Sequence, residues 1–231
     1  MDRYAQLRHE IGVVDTSPSL VPLRLCEVGV ERLGAQGVGL ALISSPQARS
    51  LLSASGALAG RVEELQFSLG EGPCLDAFWA GVPTFEPFLA TEGRGRWPLF
   101  ATAAVAAGVE AVFSFPLQVG DVRFGVLDVA HDVPGMLAED VLADALALAD
   151  IATETILVLQ TGTDEDRVAD ELGGIGSERI VVHQATGMIS AQAEIDVGAA
   201  LAWLRAHAYA ADRHLYEVAS DVVAGRVVFI P

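Results

Sequence analysis

The chain has 231 residues, 52% of them hydrophobic, with 14 arginines, no lysine and 31 acidic residues, for a net charge of −17. That hydrophobic content suits a filled core and excludes a disordered chain, while no run reaches the roughly 20 apolar residues of a membrane-spanning helix. So much negative charge opposes non-specific adhesion to nucleic acid, whose affinity comes from Lys and Arg neutralising phosphates.

Glu10 stands where an export signal would be apolar, so a cytoplasmic protein is expected. The two cysteines, Cys26 and Cys74, form neither a CxxC pair nor a Cys/His cluster. Neither a zinc site nor a disulfide framework is indicated.

In chain order, Leu20 to Leu33 has apolar residues at helical spacing and stops at Gly34. Val38 to Ile43 is a short apolar run bounded by Gly37 and Ser44-Ser45-Pro46, the pattern of a buried strand. Leu58 to Phe67 is a short helix. Another helix opens at Arg96-Trp97-Pro98, with proline at a helix start where the first amides lack internal partners. Two β-rich runs, Val109 to Val119 and Val122 to Ala130, meet at Gly120-Asp121 and predict a hairpin. Leu137 to Gln160 is one long helix with two apolar stripes, through Leu142, Leu146, Ala149, Thr153 and Ile156, and through Val141, Ala145, Leu148, Ala152 and Leu159. Either a sheet covers one stripe and a second copy of the chain the other, or both belong to one wide core face.

Gln160 to Gly176 is polar, acidic and glycine-rich, the composition of a linker. Three short amphipathic helices follow. Ser177 is expected to cap the first, Asp196 the second and Asp212 the third. In the third, Leu215, Val218, Ala219, Val222 and Val223 recur at helical spacing, a strong signal. From Ser177 onward there are four arginines (179, 205, 213 and 226) against six acids, so most of the negative charge lies upstream.

The spacing Gln184-Ala185-x-Gly187, then Ala200-x3-Leu204-Arg205-x2-Ala208, then Leu215-x-Glu217-Val218-Ala219 resembles the ANTAR domain, over roughly Ser177 to Gly225. The resemblance implies a three-helix module that binds hairpins of nascent RNA in transcription antitermination. Most of that signature is packing, with small residues for close approach and branched ones for the seam. Upstream, Leu69-Gly70-Glu71-Gly72-Pro73-Cys74-Leu75-Asp76-Ala77, Arg96-Trp97-Pro98 and Phe115-Pro116-Leu117-Gln118-Val119-Gly120 leading into Phe124-Gly125-Val126-Leu127-Asp128 resemble a GAF domain, over about Leu20 to Gln160. It implies a sensor with an antiparallel sheet, flanking helices and a ligand or partner that varies across the family.

The expected fold is therefore α+β: a GAF-like sensor at 1–160 with a signalling helix at its end, a linker at 161–176, and an all-α ANTAR module at 177–231. The resemblance implies a homodimer that binds leader-transcript hairpins under sensor control, with a cofactor that is unknown and no membrane role. The alternative is a ligand-binding or interaction module whose tail only dimerises or docks a partner. No phosphate loop, nucleophile elbow or metal-spaced His pair is present, so no enzyme is expected.

Five tail residues are candidates for RNA. Arg205 suits a phosphate or base edge, or alternatively helix carbonyls or Glu217. Arg213 suits a backbone phosphate at the start of the third helix. Gln184, beside His183, suits an unpaired base, and Tyr216, like Tyr209, suits stacking. Thr186 stands where many ANTAR relatives have Lys, and Gly225 to Phe229 is less basic than their ends. In the sensor, Cys74, Trp79, Phe113 and Phe115 are candidates for ligand lining, with core packing as the rival for each. Cys74 at a helix start has an oxidant-sensing role as a further alternative.

Overall fold

A computed structural model of the chain describes residues 2–44, 49–161 and 176–229. The first part runs α1 (Arg3–Ile11), α2 (Val21–Leu33), β1 (Gly37–Ile43), β2 (Arg49–Ser55), α3 (Ala59–Leu69), α4 (Pro73–Ala80) and β3 (Thr84–Glu86). It continues through the helical turn α5 (Arg94–Arg96), α6 (Pro98–Ala106), β4 (Ala111–Val119), β5 (Val122–His131) and α7 (Glu139–Thr161). The last part holds α8 (Gly176–Ala193), α9 (Val197–Ala210) and α10 (Leu215–Val223). Most of the expected linker lies outside the described residues, as does the side chain of Ser177.

The five strands form one antiparallel sheet in the order β2-β1-β5-β4-β3. Alternation sorts its two faces. Val38, Leu40, Phe113, Phe115, Leu117, Leu127 and Val129 point to one side and pack on α1, α2 and α7. Val112, Val126, Asp128 and Ala130 point to the other, beneath α3, α4 and α6. The β4–β5 hairpin turns at Gly120, whose φ of +58° suits glycine. Strands β1 and β5 approach so closely at Gly125 that a Cβ there would lie 2.0 Å from the Ala41 carbonyl oxygen.

The long helix α7 buries Ala145, Leu148, Ile151, Ala152 and Ile156 in a single broad face, which draws on both expected stripes. Leu146 remains exposed. Helix α1, unforeseen in a polar stretch, is held to the body by Leu7 and Ile11, both buried in the core, with ion pairs of Arg3 to Asp144 and Arg8 to Glu154 at its flank.

The three final helices enclose their own core of Val182, Ala185, Ile189, Leu201, Leu204, Leu215, Val218, Ala219 and Val222. Asp196 caps α9 as expected, its carboxylate accepting from the Ala199 amide at 3.0 Å. Asp212 does not cap α10. It takes a left-handed conformation at φ +51° to leave α9, and the extended residue before α10 is His214.

Replacing Gly125 by alanine should cost about 2–3 kcal/mol, because strand backbone must move to accept the methyl group. Urea unfolding measures it; an unchanged midpoint would contradict the close β1–β5 approach.

Candidate functional site

The three-helix unit rests on the first part of the chain through Phe67, near the end of α3. Among the described residues, Phe67 is the one side chain of the first part inside the core of the last three helices, and it is 2% exposed. Burying a ring of this size contributes about 2–3 kcal/mol. Three tail residues converge on it. The Arg179 guanidinium of α8 lies over the ring, 4.6 Å from its centroid. The His183 imidazole meets the ring edge-on at 6.4 Å. The Arg205 guanidinium of α9 stands 5.7 Å from the same centroid, and its Nη2 donates to the Phe67 carbonyl at 2.6 Å.

That carbonyl belongs to the last turn of α3, where helix carbonyls lack internal partners and carry partial negative charge. Gly70 ends the helix at φ +71°, and a Cβ there would come within 2.6 Å of Arg205 Nη1. Glycine is thus required twice at this position, for the backbone and for the arginine.

Beneath Phe67 lies a buried charge cluster. Arg49 of β2 donates from Nη2 to Glu63 Oε1 at 2.7 Å, with both side chains at most 2% exposed. Arg179 Nη2 stands 3.8 Å from Glu63 Oε2, and Arg179 Nη1 donates to the Arg49 carbonyl at 3.3 Å. One carboxylate therefore serves two guanidinium groups, one from each part of the chain. Next to it, Gln66 donates to Asp128 at 2.8 Å and accepts from the Cys74 amide at 2.9 Å, which ties α3 to β5 and caps α4. Ser114 donates a short hydrogen bond to the second Asp128 oxygen. Burial, followed by the nearby Glu63 charge, pushes the Asp128 carboxyl up to about 7. Burial and the Arg49 charge bring Arg205 down to about 10, so it stays cationic at neutral pH. Burial, then Arg179, holds the His183 imidazole below its ordinary range.

The expected sensor residues do not meet in one pocket. Phe113 and Phe115 are closed in the core on the α2/α7 face, their rings tilted against Phe85 at 5.8 and 5.7 Å. Cys74 is on the opposite face, fully buried, with its thiol pushed well up by desolvation. A thiol held protonated is a poor nucleophile toward oxidants. Trp79 is on the outer side of α4, 49% exposed. Glu71 of the Gly-Glu-Gly-Pro motif serves the fold, since its Oε1 accepts from the Leu99 and Phe100 amides at 2.6 and 2.7 Å and so caps α6.

Among the RNA candidates, Arg205 and Arg213 line one cleft of about 230 Å³ together with Tyr209, His214 and Ser68. His183 borders a different cleft of about 600 Å³ beside Arg49, Ser50 and Phe124. Gln184 and Tyr216 are exposed on α8 and α10. Arg213 pairs with Asp221 at 2.9 Å and Glu217 at 3.6 Å, and Arg226 with Asp221 at 2.6 Å. All four tail arginines thus have partners, in two unlike ways. Exposed pairs such as those of Arg213 contribute little and exchange readily. Arg179 is buried and Arg205 half-buried, where loss of a partner costs more. Sequence reasoning counted Arg179 only as charge and missed Phe67, Glu63 and Arg49, because no local spacing links residues drawn from β2, α3 and α8.

Residues 176–223 match the family model of the ANTAR domain. The GAF domain of an Acinetobacter phosphoenolpyruvate-protein phosphotransferase superposes with a TM-score of 0.54 at 14% identity, over 71% of this chain and 96% of that one. The corresponding domain from Coxiella burnetii gives 0.53 at 15%, over 68% and 92%. A free methionine-R-sulfoxide reductase from Neisseria meningitidis, solved with its substrate, gives 0.51 at 17%, over 69% and 93%. At such identities the likeness is one of fold. This chain joins a GAF fold to an ANTAR domain. Its GAF part contributes Phe67, Glu63 and Arg49 to the seam, and its ANTAR part Arg179, His183 and Arg205. No curated protein matches the chain. Among the described residues no His, Cys, Asp or Glu cluster is placed to hold a metal, and no helix is long and apolar enough to cross a membrane.

Glu63→Gln would leave Arg49 and Arg179 buried without counter-charge and should cost about 3–5 kcal/mol in urea unfolding. Asp128 supplies a pH signature. Its folded carboxyl, raised to about 7, holds a proton that the unfolded chain releases near about pH 4. Its contribution is therefore fully present below that value and is lost as pH rises toward 7. Measured from pH 4 to 7, wild type should lose stability relative to Asp128→Asn; a difference independent of pH would contradict the raised carboxyl.

Proposed function

We propose that this protein is a cytoplasmic, signal-responsive transcription antitermination regulator. Its ANTAR domain binds RNA hairpins of a leader transcript, and its GAF-fold part governs that binding as a homodimeric sensor for a small molecule. The match of residues 176–223 to the ANTAR domain carries the reading. Arg213 on the exposed rim, with Tyr209 and Tyr216 nearby in sequence, supplies groups for a phosphate and for stacked bases. Leu146, exposed on α7, is an apolar side chain that a second copy would cover. Two ANTAR domains in one dimer would grip paired hairpins with affinity gained through effective concentration.

A second reading, in which the tail only dimerises or docks a partner, draws on the pairing of all four tail arginines with groups of the same chain. Gel-shift titration of the full protein against an RNA of two tandem hairpins separates the two. With RNA binding, Arg213→Ala should weaken affinity across sequences and lower the salt slope by about one, with helicity unchanged. No shift at low salt by a dimeric sample would favour the second reading.

A further inference from the structure

The face that α3 meets carries two of the four tail arginines, Arg179 and Arg205, with His183 at its edge. Arg179 and His183 are one helical turn apart on α8, and Arg205 comes beside them from α9, all within reach of the Phe67 ring. The remaining tail arginines, Arg213 and Arg226, share the carboxylate of Asp221.

The occupant of that face has an unusual chemistry for a helix end. Phe67 offers a flat ring contacted by two guanidinium groups and an imidazole. The Phe67 carbonyl, at the negative end of α3, accepts from Arg205. Glu63, one turn earlier, presents one carboxylate oxygen to Arg179 and the other to Arg49. A planar ring flanked by a carboxylate and a partially negative carbonyl oxygen resembles what a nucleotide presents: a base to stack on and a phosphate to pair with. Arg179 over the ring and Arg205 on the carbonyl oxygen are contacts of the kind guanidinium groups make to a base and to a phosphate.

We infer that α3 acts as a built-in nucleotide mimic, so that RNA and the sensor compete for Arg179, His183 and Arg205. The inference rests on the RNA-binding reading and adds Arg179 to the contact set. A sensor signal that shifts α3 would uncover the face, and RNA would in turn hold the seam open, because linked equilibria are reciprocal. The imitation also explains why a chain of net charge −17 would not bind RNA indiscriminately: its best cationic groups are occupied until the seam opens.

Fluorescence anisotropy of the full protein with a labelled stem-loop RNA at low salt tests this. Phe67→Ala removes the ring from the sensor side and should raise RNA affinity at least tenfold over wild type. Gly70→Ala, which drives a methyl group into the Arg205 guanidinium without touching the ANTAR core, should do the same. Adding Arg205→Ala to either variant should abolish the gain. If wild type binds and neither variant binds more tightly, the competition is refuted while the RNA reading stands. If neither wild type nor variants bind, the RNA reading fails and the inference with it. Hydrogen exchange on wild type needs no variant: RNA should deprotect amides 63–70 and protect 179–183, and unchanged protection of 63–70 in the presence of bound RNA overturns the proposal.

Discussion

A single carboxylate holds this molecule's two parts in register. Glu63 lies in the interior with Arg49 of the sheet on one side and Arg179 of the ANTAR domain on the other, and it is itself almost without solvent. Removing any charge from water costs several kcal/mol, and only a counter-charge of good geometry offsets it. The Arg49–Glu63 pair, at 2.7 Å, is therefore intolerant of separation. If α8 lifts away, Arg179 regains water, but Glu63 keeps Arg49 and the five-stranded part remains intact. That asymmetry separates a contact that can open from one that must not.

Around this pair the seam is small and chemically mixed. Phe67 supplies the apolar contact, the end of α3 supplies unpaired carbonyls, and Arg205 satisfies one of them. Each contact contributes on the scale of about 1–3 kcal/mol. The buried network of Gln66, Asp128, Ser114 and the Cys74 amide connects the same helix to the centre of the sheet. Any displacement of α3 is thereby coupled to α4 and β5.

Much of the fold was legible before the structure. The hairpin at Gly120-Asp121, the helix stop at Gly34, the cap at Asp196 and the long α7 follow from turn chemistry and periodicity, which act over a few residues. Helix α1 escaped notice because its stretch is polar, and Leu7 and Ile11 in the core, with ion pairs to α7, hold it in place. Strand β2 escaped because Arg49 and the serines of its run give it no apolar alternation, and its pairing to β1 decides its conformation. Asp212 looked like a cap by residue type alone, yet the exit of α9 required a left-handed residue there and moved the start of α10 past it.

The candidate site divides in the same way. Sequence alone determined that the last helices form a unit, because branched residues at i, i+3, i+4 and i+7 have no stable place except against one another. It also determined which side chains carry positive charge. Only the tertiary structure decided that two of those charges turn inward to a phenylalanine and a glutamate more than a hundred residues upstream, while two remain in water. No local pattern encodes that choice: it arises where a helix end, a strand and a second domain meet, and the cost of burying charge is settled by all three at once.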